Sequence, residues 1–192
     1  MGWPDLLRPP AMPSSHEFAR TTIIALTGFM AAGKSTVGRA LACLMKWRFV
    51  DLDCEIERRA GQSVREIFAK RGEAAFRALE DESLRDIVVG ATEPTVIALG
   101  GGTFVQRRTA EFLHEAGVLV VFLELPLDQL LQRCRAMGQP CEQNPRPLAE
   151  NEEDFRALYE QRLPLYRKAN LVVKGEGKMP EEIAGEIRKS LE

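Results

Sequence analysis

Residues 22–42 read TIIALTGFMAAGKSTVGRALA, and the fold follows from this stretch. An apolar, β-rich run from Thr22 to Thr27 leads into Gly28-Phe-Met-Ala-Ala-Gly-Lys-Ser35, a GxxxxGKS loop, and then into helix-forming sequence. A strand, a Gly-rich loop and a helix in that order make a nucleotide site. Gly28 and Gly33 let the backbone turn tightly and approach an anion, while successive N–H groups and the positive end of the helix face the phosphates. Lys34 is placed to reach the terminal phosphates, Ser35 to offer its hydroxyl to Mg2+, and Thr36 to add a donor at the helix start.

Outward from the loop, four further β-rich runs follow: Arg48 to Asp51, Thr95 to Ala98, Val118 to Leu123 and Leu171 to Val173, each separated from the next by helix-compatible sequence. Alternation of this kind predicts a parallel sheet, and the near-continuous apolar run at Val118 suits a sheet covered on both faces. The expected fold class is therefore α/β, three-layered, with five parallel strands. Helices are predicted at Lys34–Leu44, Val64–Ala69, Glu73–Val88, Leu127–Cys134, Glu153–Tyr166 and Glu181–Leu191, the last with Pro180 at its start.

The composition sets bounds on the remainder. With 192 residues and 45% hydrophobic content the chain can bury one substantial core, so a single domain is expected over 21–192. Residues 1–20, rich in Pro, read as a loose, disordered extension. Twenty-six basic against 28 acidic residues give no general field favouring nucleic acid or an anionic membrane. The longest apolar runs fall well short of the ~20 residues a membrane-spanning helix needs. Cys43, Cys54, Cys134 and Cys141 form no CxxC pair, which argues against zinc, and reduced thiols suggest the cytoplasm.

Three other features carry chemistry. Asp51 and Asp53 form a DxD at the carboxyl end of the second strand, where open α/β sheets gather ligands. One carboxylate could organise Mg2+ through its water shell and the other accept a hydroxyl proton; the pattern equally fits a polar strand end with Asp53 capping a helix from Cys54. The third strand ends in Gly100-Gly101-Gly102, which either presents bare backbone to a small ligand or makes a flexible turn. Residues 135–149, with three Pro and one Gly, form a long loop that suits a lid over a phosphoryl-transfer site better than a tolerated surface insertion. Arg77 and Arg162 lie in helical sequence and, taken singly, look like solvent-facing charge.

Taken together, these pieces resemble the shikimate kinases, small phosphate-loop kinases of aromatic amino-acid biosynthesis. The resemblance rests on GFMAAGKSTVG at 28–38, Asp51-Leu-Asp53 with Ile56-Glu57 and Gly61, Ile67-Phe68 with Gly72-Glu73, Phe76-Arg77 and Glu80, then the Gly100–Gly102 triplet, Arg146-Pro-Leu148 and Arg162-Leu-Pro-Leu-Tyr166. It implies a phosphate-loop kinase fold with strand order 2-3-1-4-5 and transfer of the γ-phosphate of ATP to the 3-hydroxyl of shikimate, by an enzyme that is often monomeric. It further implies that Gly28, Ala31, Ala32, Gly33, Lys34, Ser35 and Thr36 hold ATP, with Arg146 swinging onto the phosphates from a lid at 135–150. Asp53 would bind the substrate hydroxyls and accept the proton, Arg77 and Arg162 would hold the carboxylate, and Gly101 and Gly102 would line the substrate. Residues 54–77 would form the shikimate-binding region. Ser35 and Asp51 would serve the metal, and Lys178 stands where the family often has an adenine-lining Arg. Ala31-Ala32 replaces the Gly-Ala or Gly-Ser of many relatives, which the turn accommodates if Ala31 stays out of positive φ. The rivals are a gluconate kinase, which would share the loop but not the DxD, GGG and Phe76-Arg77 together, and a noncatalytic nucleotide-binding homologue.

Overall fold

Every residue of the first strand, β1 (Ile23–Thr27), is buried, and the same holds for β3 (Thr95–Ala98) and for all but the last residue of β4 (Leu119–Glu124). Since alternate residues of a strand point to opposite faces, unbroken burial means both faces are covered. The remaining strands, β2 (Arg48–Asp51) and β5 (Leu171–Lys174), are only partly buried because each has a single strand neighbour. The sheet is parallel throughout, with order β2-β3-β1-β4-β5 as expected from the resemblance. The computed structural model describes residues 22–136 and 151–192. The expectations of a disordered extension at 1–20 and of a lid carrying Arg146 therefore fall on residues outside those described.

Seven helices accompany the sheet among the described residues: α1 (Lys34–Met45), α2 (Leu52–Ala60), α3 (Val64–Val89), α4 (Arg107–Glu115), α5 (Leu127–Ala136), α6 (Glu152–Tyr166) and α7 (Pro180–Lys189). Helices α1 and α7 pack side by side. Gly38 in α1 lets Phe49 and Leu26 press against the helix, since a Cβ there would stand 2.6 Å from Phe49 Cε2. Phe29, at the start of the loop, is buried edge-on against Phe155 and Tyr159 of α6, which seats the loop on the core.

The structure amends several sequence expectations. The helices expected at Val64–Ala69 and Glu73–Val88 follow one another within α3 and are divided, as expected, at Gly72, whose φ of 77° and ψ of 173° are not helical. The start of α3 is fixed by a capping box in which Ser63 and Glu66 exchange side-chain and backbone bonds. Helix α4 was missed, although Thr109 and Leu113, both buried and four apart, give it a helical stripe. Helix α5 runs on to Ala136, and Arg135 near its end pairs with Glu152 at the start of α6 at 3.1 Å, bringing together the two flanks of 137–150.

Candidate functional site

At the carboxyl ends of the strands the loop 28–33 leaves β1 and enters α1. Gly28 has φ 151°, and a Cβ on it would stand 2.9 Å from the Leu123 carbonyl oxygen, so the sharp exit from the strand excludes side chains. Gly33 precedes α1 at φ 87°, in the left-handed region, and no side chain caps the helix. Its first N–H groups are left to face an anion. Ala31 adopts φ 58°, so the condition under which the turn would accommodate Ala31-Ala32 without strain is not met. A residue with a Cβ incurs roughly 1–2 kcal/mol there, a strain the loop carries. Thr36 is exposed at the start of α1, and Ala32 is buried beneath the loop.

The Lys34 ammonium is enclosed by this loop and donates to the carbonyls of Gly28 and Phe29, both at 3.1 Å. Burial lowers its pKa, opposed by the negative charges of Asp53 and then Asp51. Arg162 also lies within electrostatic range of this ammonium and depresses it further. Lys34, Asp51, Asp53 and Arg162 are thus gathered in one place. The Cys134 thiol is within the same range, and burial raises its pKa. One neighbour was not anticipated: Arg133 in α5 brings Nη1 to 3.8 Å from the point a Gly33 Cβ would occupy.

The two aspartates separate into different roles. Asp51, not Asp53, caps α2, accepting from the Cys54 N–H at 3.4 Å, and it accepts from the Ser35 hydroxyl at 2.5 Å. Because the helix begins at Leu52 rather than Cys54, Asp53 falls in its first turn. Ser35 and Asp51 place a hydroxyl and a carboxylate side by side, the hard oxygen donors Mg2+ takes alongside waters and phosphate oxygens. Among the described residues there is no cluster of three or more His, Cys, Asp or Glu that could hold a metal ion.

Opposite the loop stands the turn that follows β3. The point a Gly101 Cβ would fill is 3.6 Å from Met30 N and 3.8 Å from the Gly28 oxygen, so the turn abuts the phosphate loop. A Gly100 Cβ would meet Thr103 Oγ1 at 2.9 Å and both Asp53 Oδ1 and Glu80 Oε1 at 3.1 Å, which places three side chains around one glycine. Arg77 lies against Gly102, where a Cβ would come within 2.6 Å of Nη2. It is not the solvent-facing charge its helical setting suggested: only 16% of the side chain is exposed, and Nη1 pairs with buried Glu80 at 2.7 Å while Nη2 reaches Glu73 at 3.3 Å. From α6, Arg162 Nη1 donates to the Gly101 carbonyl at 3.3 Å, and the Tyr166 hydroxyl donates to the same oxygen. Tyr166 is buried, which pushes its pKa up to about 12 and keeps it a neutral donor.

Glu80, Thr103 and Tyr166 are contributors that residue-by-residue reading did not single out. The signal was present for Glu80 and Tyr166, which belong to the quoted pattern, whereas Thr103 carried none. Lys178 stands apart from this group in a different pairing, with its ammonium 2.7 Å from Glu186 of α7.

The arrangement can hold phosphates on one side and a small anion bearing hydroxyls on the other, with Asp53 between. Comparison with known proteins agrees. The shikimate kinase family model matches residues 30–192. A shikimate kinase of Thermus thermophilus is 42% identical over 173 residues, covering 88% of this chain and 90% of its own length. The crystal structure of shikimate kinase from Aquifex aeolicus superposes with a TM-score of 0.77 at 38% identity, covering 88% of this chain and 95% of that one. Shikimate kinase from Acinetobacter baumannii, in complex with shikimate, gives 0.78 at 36% identity, covering 91% and 95%. With the loop, the strand order and the paired arginines in the same chain, this protein belongs to the shikimate kinase family.

Proposed function

We propose that this chain transfers the γ-phosphate of ATP to the 3-hydroxyl of shikimate, giving shikimate 3-phosphate and ADP. The observation that carries this reading is the meeting of the phosphate loop with the Gly100–Gly102 turn, which sets Lys34 and Asp53 within one electrostatic field and flanks the turn with Arg77 and Arg162. The A. baumannii relative, solved with shikimate, supports the same acceptor here.

Phosphoryl transfer asks for positioning and charge neutralisation more than covalent chemistry. The loop amides and Lys34 hold the β- and γ-phosphates, and Ser35 with Asp51 would hold Mg2+. When bound, Mg2+ neutralises charge on the transferring phosphoryl group. Arg77 and Arg162 grip the substrate carboxylate; a guanidinium fork matches that planar anion, and each charge-assisted bond contributes roughly 1.5–3 kcal/mol. Asp53 binds the acceptor hydroxyl and takes its proton as the O–P bond forms. Arg146 is assigned to the phosphates from outside the described residues, and Lys178 to the adenine side. The catalytic unit is proposed to be a monomer, as the resemblance implies.

The test is ADP release with ATP and Mg2+ over a panel of hydroxy acids. Turnover of shikimate with gluconate untouched is the expected result; turnover of gluconate alone would overturn the assignment, and no turnover of either would favour the noncatalytic reading.

A further inference from the structure

We infer that Thr103 is a positioning residue: its hydroxyl fastens the Gly100–Gly102 turn to Glu80 and so fixes the two arginine forks relative to one another. This rests on the reading of Arg77 and Arg162 as the carboxylate grip.

Thr103 is fully buried, and a buried hydroxyl is seldom left without a partner. Its Oγ1 donates to Glu80 Oε1 at 2.5 Å, while Glu80 Oε2 accepts from Arg77 Nη1 at 2.7 Å. One buried carboxylate thus ties the turn with one oxygen and the guanidinium with the other, and it cannot rotate without losing a charge-assisted bond. The Thr103 N–H donates to the Gly100 carbonyl at 3.2 Å, closing a four-residue turn around Gly101 and Gly102. Gly101 in turn accepts from Arg162 and Tyr166. The path from Arg162 through Gly101, Thr103 and Glu80 to Arg77 is continuous, and Thr103 is its one link made by a neutral side chain. Removing the hydroxyl leaves Glu80 Oε1 short of a buried donor and frees the turn that forms the wall beside Arg77.

The test uses steady-state kinetics of Thr103→Val, which keeps the volume and removes the donor, with Thr103→Ser, Arg77→Ala and the Thr103→Val/Arg77→Ala pair. The expected result is a KM for shikimate raised roughly tenfold in Thr103→Val, an unchanged KM for ATP, restoration by Thr103→Ser, and a double variant no worse than Arg77→Ala because Thr103 acts through that residue. Wild-type kinetics in Thr103→Val beside an impaired Arg77→Ala would overturn the inference and leave the carboxylate grip intact. A normal Arg77→Ala would overturn the grip itself. Parallel loss for both substrates with a lowered Tm, not restored by Thr103→Ser, would make Thr103 merely structural and also overturn the inference. Should Thr103→Val not fold, Thr103→Ala carries the same comparison.

Discussion

The two sides of the site are made of different material. On the donor side the work falls to backbone: Gly28 pressed on the Leu123 carbonyl, Gly33 in the left-handed region, and uncapped N–H groups opening α1. On the acceptor side it falls to side chains drawn from α2, α3 and α6, set against the Gly100–Gly102 turn and held by Glu80 and Thr103. A site built of backbone needs few residue types at fixed spacing, and changing one of them distorts the chain. A site built of side chains distributes its specificity over distant positions, and changing one of those redirects a single contact.

The largest effect that could break this contrast lies where the halves meet. Asp53→Asn is expected to lower kcat by about 10²–10⁴ while leaving ATP affinity near normal, as follows if proton acceptance and not folding is lost. Turnover close to wild type, measured with saturating substrates, would return Asp53 to the surface of α2. Next comes the Lys34 charge. Burial lowers its pKa, so the ammonium loses its proton at a lower pH than an ordinary lysine as the solution is made alkaline. The pH profile of kcat/KM for ATP should fall on an alkaline limb that begins below the ordinary lysine range, by up to about tenfold per pH unit. A flat profile through that range would remove the lysine charge from nucleotide capture.

Smaller changes sharpen the comparison. A Gly102→Ala Cβ meets only the far end of a flexible side chain, the Arg77 guanidinium at 2.6 Å. Tm should therefore hold while the KM for shikimate rises by several-fold, about 1 kcal/mol of misplaced grip; a large fall in Tm with unchanged KM would contradict the side-chain account. On the backbone side Ala31→Gly relieves the strain at φ 58° but adds unfolded-state freedom, and the two nearly offset. A stabilisation of at most ~1 kcal/mol by thermal melting is expected, and marked destabilisation would mean Ala31 carries no strain.

The same division governs how much was legible in the sequence. The strands, their parallel arrangement and the phosphate loop could be read because hydrophobic runs and glycine spacing are local signals. Arg77 could not be read alone: a helical Arg three residues from a Glu is the ordinary pattern of a solvated face, and only tertiary packing buries Glu80 and turns the pair inward. Thr103 was silent for the same reason, since its partner lies 23 residues away on another element. The alternative in which Asp53 caps the helix falls to Asp51 because strand and helix abut without a loop, and a boundary shifted by two residues changes which carboxylate accepts from the helix.

The carbonyl of Gly101 has a consequence for how the molecule comes into being. Its two partners, Arg162 and Tyr166, lie 61 and 65 residues further along the chain. Contacts of such separation form only after the intervening loop-closure entropy has been overcome, and during synthesis they must await the emergence of α6. The phosphate loop is spaced within one strand–helix unit, yet its seat on Phe155 and Tyr159 waits for the same helix. Both halves of the site are therefore completed only when α6 is in place, so a chain lacking that helix would lose its acceptor grip and the support of its phosphate loop together.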